Sequence, residues 1–237
     1  MFLNSIHHFA MIISTWKQFI AVFCFLFSAG LSVAQEPVLA DKNGADVPKA
    51  CRLLDFGTSQ LGFWGGYSSD NPTLIGKTTD RPLFELNVHY ARVIKTRDSW
   101  ALKYTAEIIP VISVRQPPQG FSNGNTMDLP GKKEWVYGAG LSPVGLQMNF
   151  FRGRIVQPYI NGTAGVLYFT KNVPVAHSSN FNFTFGFGAG VEIWYLENQS
   201  ILLGYKYQHI SNGYTAPENP GVDSNLLYVG FLWRLMQ

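Results

Sequence analysis

The sequence predicts an all-β protein, an eight-stranded antiparallel transmembrane β-barrel of the outer membrane. Three observations support this prediction. From about residue 60 onward, apolar and polar residues alternate with a period of two. Short and long connections alternate between the strand-like segments, and an export signal precedes them. No segment after that signal has the length and apolar character of a membrane-spanning helix.

Residues 1–34 have the pattern of a secretory signal peptide. Lys17 precedes the apolar run 19–27, and small residues at positions 32 and 34 have the spacing of a cleavage site. We therefore expect cleavage after Ala34 and export from the cytoplasm. The apolar run is too short to serve well as a membrane anchor.

Composition argues against several other classes of protein. The 18 Lys and Arg residues are nearly balanced by 15 Asp and Glu, which is not the charge of a nucleic-acid-binding protein. Cys24 leaves with the signal peptide, so Cys51 has no partner for an intramolecular disulfide. His89 and His177 are expected to be an interior polar residue and a loop residue. No residue cluster has metal-ligand spacing, and neither a metal nor a cofactor is expected.

Residues 35–58 form a lead-in segment to which the sequence assigns no function, and residues 59–237 form the predicted barrel domain. Each strand of that domain is bounded by turn-forming residues and carries alternating apolar and polar side chains. The predicted strands are 60–68, 83–95, 99–114, 134–150, 156–169, 180–196, 199–211 and 223–235.

The connections between these strands fall into two classes. The second, fourth and sixth are tight, around residues 96–98, 152–154 and 197–199, whereas the first, third, fifth and seventh are longer and rich in Gly, Pro, Asn and Ser. Short periplasmic turns and longer external loops are typical of outer-membrane barrels. A soluble sandwich has no reason to sort its connections in this way.

The two faces of the strands differ in the way a membrane barrel requires. In the sixth strand, the alternate positions from Phe181 to Phe187 are all Phe, and the positions between them are Asn, Thr and Gly. An apolar face toward lipid and a filled polar interior account for this pattern. A soluble lipocalin-like barrel would invert the two faces, and the sequence alone does not show which is outside. With eight strands, side chains just fill the interior, which argues against a general porin.

The last predicted hairpin, 199–235, carries the residues of a serine hydrolase. His209 and Ser211 lie two positions apart near the end of the seventh strand and therefore face the same side. Asp223 begins the eighth strand on its apolar face. Ser211 would be the nucleophile, His209 its general base, and Asp223 the acid that orients the imidazole. All three are predicted on the lipid-facing side, where polar groups are costly unless they have a function.

Donors for a tetrahedral oxyanion are also present near this motif. The candidates are the side-chain amides of Asn212 and Asn219 and the backbone N–H of Gly213. Pro220 and Gly221 would shape the turn that returns to the eighth strand. A His-x-Ser sequence by itself also occurs by chance, so the shared face carries most of the argument.

At these residues the chain resembles the outer-membrane lipid A 3-O-deacylases, the PagL-like family, also called acyloxyacyl hydrolases. The matching residues are His209, Ser211, Asn212, Asn219, Pro220, Gly221 and Asp223. The resemblance implies a serine esterase in the cell outer membrane that removes a 3-O acyl chain from lipid A in lipopolysaccharide. It leaves a homodimer open. Asp223 stands where the family usually has Glu, and Gly213-Tyr214 replaces a small residue followed by Gly.

Two alternatives remain at this stage. Outer-membrane phospholipase A also uses His-x-Ser-Asn-Gly, but its barrel has twelve strands, its motif lies mid-chain and its third triad member is Asn. The other alternative is a non-catalytic small barrel that serves adhesion or envelope integrity. In that case the pair His209 and Ser211 would be incidental.

Overall fold

The computed structural model describes residues 54–69 and 71–235. These residues form a closed antiparallel barrel of eight strands and a separate two-stranded hairpin. The barrel strands are β1 (Ser59–Ser68), β2 (Leu83–Thr96), β3 (Trp100–Gln116), β6 (Glu134–Phe150), β7 (Val156–Val173), β8 (Ser179–Leu196), β9 (Gln199–Ser211) and β10 (Val222–Arg234). Each barrel strand pairs with the barrel strands before and after it in the chain, and β1 closes the barrel on β10.

The predicted fold class is confirmed. All eight barrel strands lie within a few residues of their predicted positions. In the described ranges there is no helix long and apolar enough to cross a membrane. The predicted signal peptide, most of the lead-in segment and both cysteines lie outside the described residues.

The third connection contains the two strands that the sequence reading did not predict, β4 (Gln119–Ser122) and β5 (Asn125–Asp128). They pair across Asn123 and Gly124, which both have positive φ, 50° and 81°. An Asn-Gly pair in this conformation is the preferred two-residue hairpin turn. The turn signal was therefore present in the sequence, although the flanking segments are too short and polar to suggest strands.

The fifth connection is shorter than predicted. β7 continues to Val173 and β8 begins at Ser179, so only residues 174–178 connect them. The pairing of β7 with β8 is regular up to Tyr168. It is interrupted between Tyr168 and Val173, and Val173 then pairs with Ser179. The alternation of short and long connections therefore fails at this position. The strands themselves, rather than a loop, extend the barrel here.

Apolar side chains face outward and polar side chains face inward. Phe183 and Phe187 on β8 are 46% and 50% exposed, whereas Asn182 and Glu192 on the other face of the same strand are fully buried. This is the orientation that a barrel in lipid requires, and it excludes the inverted arrangement of a lipocalin-like protein. The barrel surface is thus built to contact hydrocarbon.

Ion pairs and hydrogen bonds fill the barrel interior. Lys103 Nζ lies 2.6 Å from Glu192 Oε2, and both side chains are fully buried. Glu107 accepts a hydrogen bond from Trp64 Nε1 at 2.9 Å and also pairs with His89. Charges buried in this way are stable only when they are paired, and these contacts link neighbouring strands and also strands that are not neighbours in the barrel.

The four connections at one end of the barrel pack together, and we call this the loop end. The guanidinium of Arg81, which is fully buried, lies between them. It binds the carboxylate of Asp128 on β5 through both terminal nitrogens and donates from Nε to the carbonyl of Pro174 at 3.2 Å. In the same region, Thr126 on β5 donates to Glu218 in the last loop. The candidate site lies at this end.

Candidate active site

β9 and β10 place the three residues of the predicted triad on one face of the barrel. His209 and Ser211 lie at the C-terminal end of β9, and Asp223 is the second residue of β10. In the register of the two strands, Asp223 lies directly opposite His209. Because side chains alternate along a strand, all three project from the outer face of the barrel.

His209 and Asp223 form a short hydrogen bond. The distance from His209 Nδ1 to Asp223 Oδ1 is 2.6 Å, and both side chains are buried although they lie on the outer face. A carboxylate at Nδ1 fixes the tautomer in which Nε2 is free to accept a proton. The shorter Asp side chain reaches the ring because the two residues are direct cross-strand partners. The reach of Asp, one methylene shorter than that of Glu, is therefore sufficient at this position.

The loop between β1 and β2 covers Asp223, and sequence reasoning missed this contribution. The backbone N–H groups of Ile75 and Gly76 donate to Asp223 Oδ2 at 2.8 and 2.9 Å. A Cβ atom at residue 76 would lie 3.0 Å from both the backbone N and Oδ1 of Asp223. A side chain at this position would press on Asp223, which favours Gly there. The sequence shows that this loop contains Gly76 but not that the loop folds over β10.

Asn212 organises the last loop, residues 212–221. Its side chain is fully buried, and its Nδ2 donates to Ser178 Oγ at 2.9 Å and to the carbonyl of Glu218 at 2.8 Å. Its Oδ1 accepts from the backbone N–H of Tyr214 at 2.9 Å. Both amide hydrogens of Asn212 are therefore engaged within the protein. This corrects the expectation that its side chain is an oxyanion donor.

The other two candidate donors remain available. Asn219 Oδ1 accepts from the backbone N–H of Asn212 at 3.0 Å, which orients the Asn219 amide. Within the described part of the chain, neither Asn219 Nδ2 nor the backbone N–H of Gly213 donates to another protein atom. Gly213 directly follows the loop-organising Asn212, and its φ is +62°.

The Asn-Pro-Gly sequence has a direct structural role beside His209. Gly221 has a φ of +63°, and a Cβ at that position would lie 2.8 Å from His209 Cε1. The carbonyls of Pro220 and Gly221 accept from the backbone N–H groups of Lys77 and Thr78 at 2.8 and 3.2 Å. The segment thus packs against the imidazole on one side and joins the β1–β2 loop on the other.

Aromatic side chains of β8 flank the triad. Phe183 is the cross-strand partner of Ser211, and Phe185 is that of His209. The rings of Phe185 and His209 have centroids 5.1 Å apart. Ser211 itself is half-buried. An apolar surface therefore adjoins the serine on the face that contacts lipid.

The other two histidines among the described residues lie elsewhere. His89 is buried inside the barrel, where its Nδ1 lies 3.0 Å from Glu107 Oε1. His177 lies in the connection 174–178, where its ring stacks on Phe121 with centroids 4.2 Å apart. Among the described residues, no group of three or more His, Cys, Asp or Glu side chains could hold a metal ion.

Comparison with known families identifies the family of the chain. The family model described as Lipid A 3-O-deacylase (PagL) matches residues 112–231, which is just over half of the chain. The chain belongs to this family. The match includes all of β9 and most of β10, and with them His209, Ser211 and Asp223. The resemblance expected from the motif is thereby confirmed.

Solved structures share the fold at low sequence identity. The crystal structure of the outer membrane enzyme PagL is 16% identical, with a TM-score of 0.53, over 72% of this chain and 97% of that chain. Neisserial surface protein A is 13% identical, with a TM-score of 0.45, over 75% and 96%. OprG from Pseudomonas aeruginosa is 13% identical, with a TM-score of 0.42, over 77% and 97%. Comparison with curated proteins gives no match. The match to PagL shows that the fold is that of an outer-membrane barrel.

Proposed function

We propose that this protein is an outer-membrane serine esterase that hydrolyses the ester-linked 3-O acyl chain of lipid A in the outer leaflet. One observation carries the proposal. His209 and Asp223 form a 2.6 Å hydrogen bond on the outer face of the barrel, and Ser211 follows on the same face of the same strand. A base with its acid and a nucleophile thus lie where a lipid reaches them without leaving the membrane.

In the first half of the reaction, Ser211 becomes acylated. Its Oγ attacks the ester carbonyl carbon while His209 Nε2 takes the hydroxyl proton, and Asp223 stabilises the imidazolium that forms. The negative charge on the carbonyl oxygen is bound by Asn219 Nδ2 and the backbone N–H of Gly213. The C–O bond to the sugar then breaks, and His209 returns its proton to the departing 3-hydroxyl.

In the second half, water releases the acyl chain. His209 takes a proton from a water molecule, which attacks the acyl carbonyl carbon and passes through a second oxyanion in the same donor pair. The bond to Ser211 Oγ breaks, Oγ recovers its proton from His209, and the fatty acid leaves. One water is consumed and no oxidation or reduction occurs.

The surroundings of the serine favour a substrate with a long acyl chain. Phe183 and Phe185 border Ser211 and His209, and they continue the apolar row of β8 along the barrel. An acyl chain lying on this row would contact an apolar surface much like the surrounding hydrocarbon, so it can reach Ser211 without entering water. The polar loops above the site would face the sugar and its substituents.

Mass spectrometry of lipid A tests this proposal. Cells expressing the wild-type chain should lose one hydroxyacyl chain from lipid A, and cells expressing Ser211→Ala should not. The same extracts distinguish the alternatives. Lysophospholipid produced with unchanged lipid A would indicate a phospholipase, and no change in either lipid class would indicate a barrel without catalytic activity.

A further inference from the structure

The loop between β1 and β2 is closed at its base by one side chain, that of Asn71. Asn71 Oδ1 accepts from the backbone N–H of Arg81 at 2.5 Å, and Asn71 Nδ2 donates to the Arg81 carbonyl at 3.0 Å. The side chain is buried, with 7% of its surface exposed. Asn71 therefore fixes the ends of a loop whose middle contains Ile75 and Gly76.

The same loop binds Asp223 at both its backbone and its carboxylate. Asn71 Nδ2 also donates to the Asp223 carbonyl at 2.7 Å. The N–H groups of Ile75 and Gly76 bind Oδ2 at 2.8 and 2.9 Å, which leaves Oδ1 for His209. Two backbone donors on one carboxylate oxygen are charge-assisted hydrogen bonds and define the rotamer of the side chain. The acid is thus oriented from outside its own hairpin.

We propose that Asn71 is a positioning residue for the triad, acting through Asp223 on His209. This inference rests on the proposed function, because it assigns Asn71 to the same site. Without Asn71, the base of the loop and the Asp223 carbonyl would lose their common partner, and the amides of Ile75 and Gly76 would be held on Oδ2 less precisely, although the bonds of Lys77 and Thr78 to the last loop remain. Asp223 would then sample other rotamers, and His209 would spend less time in the tautomer that accepts a proton from Ser211.

Arg81 links this loop to the rest of the loop end. Its backbone is bound by Asn71, and its guanidinium binds Asp128 and the Pro174 carbonyl. These contacts hold the base of the loop whether or not its middle lies on Asp223. The effect of Asn71 on Asp223 is thereby separable from folding of the loop end as a whole.

A double-mutant cycle on Asn71 and Asp223 tests the proposal through kinetics. Asn71→Ala should lower kcat for lipid A deacylation by about 10- to 100-fold, the cost typical of losing an outer partner of a functional group, with KM nearly unchanged. Added to Asp223→Asn, it should cause almost no further loss, because both changes remove the same effect. Asn87→Ala is the matched control, since Asn87 is equally buried but lies in the barrel interior. It should leave kcat unchanged once corrected for folded protein.

Proton NMR gives a second readout that does not depend on the substrate. The short His209–Asp223 hydrogen bond should give a strongly deshielded Nδ1 proton in the wild type and in Asn87→Ala, and this resonance should broaden or vanish in Asn71→Ala. If Asn71→Ala does not fold, Gly76→Ala provides the same test, because its Cβ would press on Asp223. An unchanged resonance, or kinetic losses that multiply in the cycle, would overturn the positioning role. Failure of the wild type to hydrolyse lipid A, with the NMR result intact, would overturn the proposed function instead.

Discussion

The described part of the chain contains two buried histidine–carboxylate pairs, and they differ in ways that separate structure from chemistry. His89 and Glu107 lie inside the barrel with Nδ1 and Oε1 3.0 Å apart, and His209 and Asp223 lie on the outer face with Nδ1 and Oδ1 2.6 Å apart. Glu107 is also bound by Trp64 and lies 3.6 Å from Lys206 Nζ. The polar partners of Glu107 therefore lie on several other strands.

The comparison shows that a histidine–acid pair does not define a site by itself. Asp223 is bound by His209 and by backbone amides, and the residue two positions after His209 is a serine on the same face. His89 has Ala91 at the corresponding position, and side chains of the barrel interior surround it. A serine on the same face accompanies His209, whereas no such residue accompanies His89.

The largest effect should come from removing the nucleophile. Ser211→Ala should reduce the deacylation rate by about 10³-fold or more, because the remaining site can only stabilise charge and bind lipid. Ser211 is half-buried at the end of β9, and within the described residues its side chain makes no hydrogen bond, so Ser211→Ala should leave the barrel folded. Rates measured with purified protein in detergent micelles check the first expectation, and an unchanged heat-modifiable gel shift checks the second.

Substitutions at Asp223 test the role of its carboxylate. Asp223→Asn should lower kcat by about 10³- to 10⁴-fold, because an amide favours the wrong imidazole tautomer. The family resemblance alone suggests that Asp223→Glu is tolerated. The structure predicts a loss of about 10-fold or more, since the carboxylate is fully buried beneath the amide of Gly76 and an added methylene has to displace it. Full activity of Asp223→Glu would contradict this packing argument.

The interior pair should show the opposite behaviour. His89→Ala leaves Glu107 with fewer partners in a buried position, which should destabilise the barrel by about 1–3 kcal/mol. Deacylation per folded molecule should be unchanged. Urea unfolding in lipid vesicles, followed by tryptophan fluorescence, measures the first quantity. A specific loss of turnover without loss of stability would mean that the interior pair takes part in the reaction.

The smallest effect concerns Tyr214, which stands where the family usually has Gly. It has a φ of +62° and is 85% exposed, so its side chain strains the backbone and packs against little. Tyr214→Gly should therefore stabilise the protein by about 1 kcal/mol, because Gly adopts this conformation without steric cost. The same unfolding experiment measures this gain. A destabilised Tyr214→Gly variant would indicate a packing role for the ring.

The fold was largely predictable because period-two alternation and turn residues act locally. Phe181–Phe187 and the tight connections determine which face of each strand is apolar and where strands end. The shared face of His209, Ser211 and Asp223 was predictable for the same reason, since their parity follows from strand periodicity. The sequence did not show whether the apolar face lies outside or inside, and the closed barrel was needed to decide this.

The rest of the site depends on contacts that are distant in the chain. The amides of Ile75 and Gly76 reach Asp223 across 148 and 147 positions of sequence, and no local pattern encodes such an approach. The role of Asn212 also escaped prediction, because an amide side chain at a loop start serves equally as an oxyanion donor or as a loop organiser. Its partners Ser178 and Glu218 decide between the two.

The most direct test of the proposed mechanism compares variants of His209 and His89. A fluorophosphonate with an alkyl chain is added to the protein in micelles, and the modified peptide is identified by mass spectrometry. The account predicts an adduct on Ser211 in the wild type and in His89→Gln, and almost none in His209→Gln. Equal labelling of Ser211 in both variants, or no labelling of Ser211 in the folded wild-type protein, would contradict the claim that His209 activates Ser211 on the outer face of the barrel.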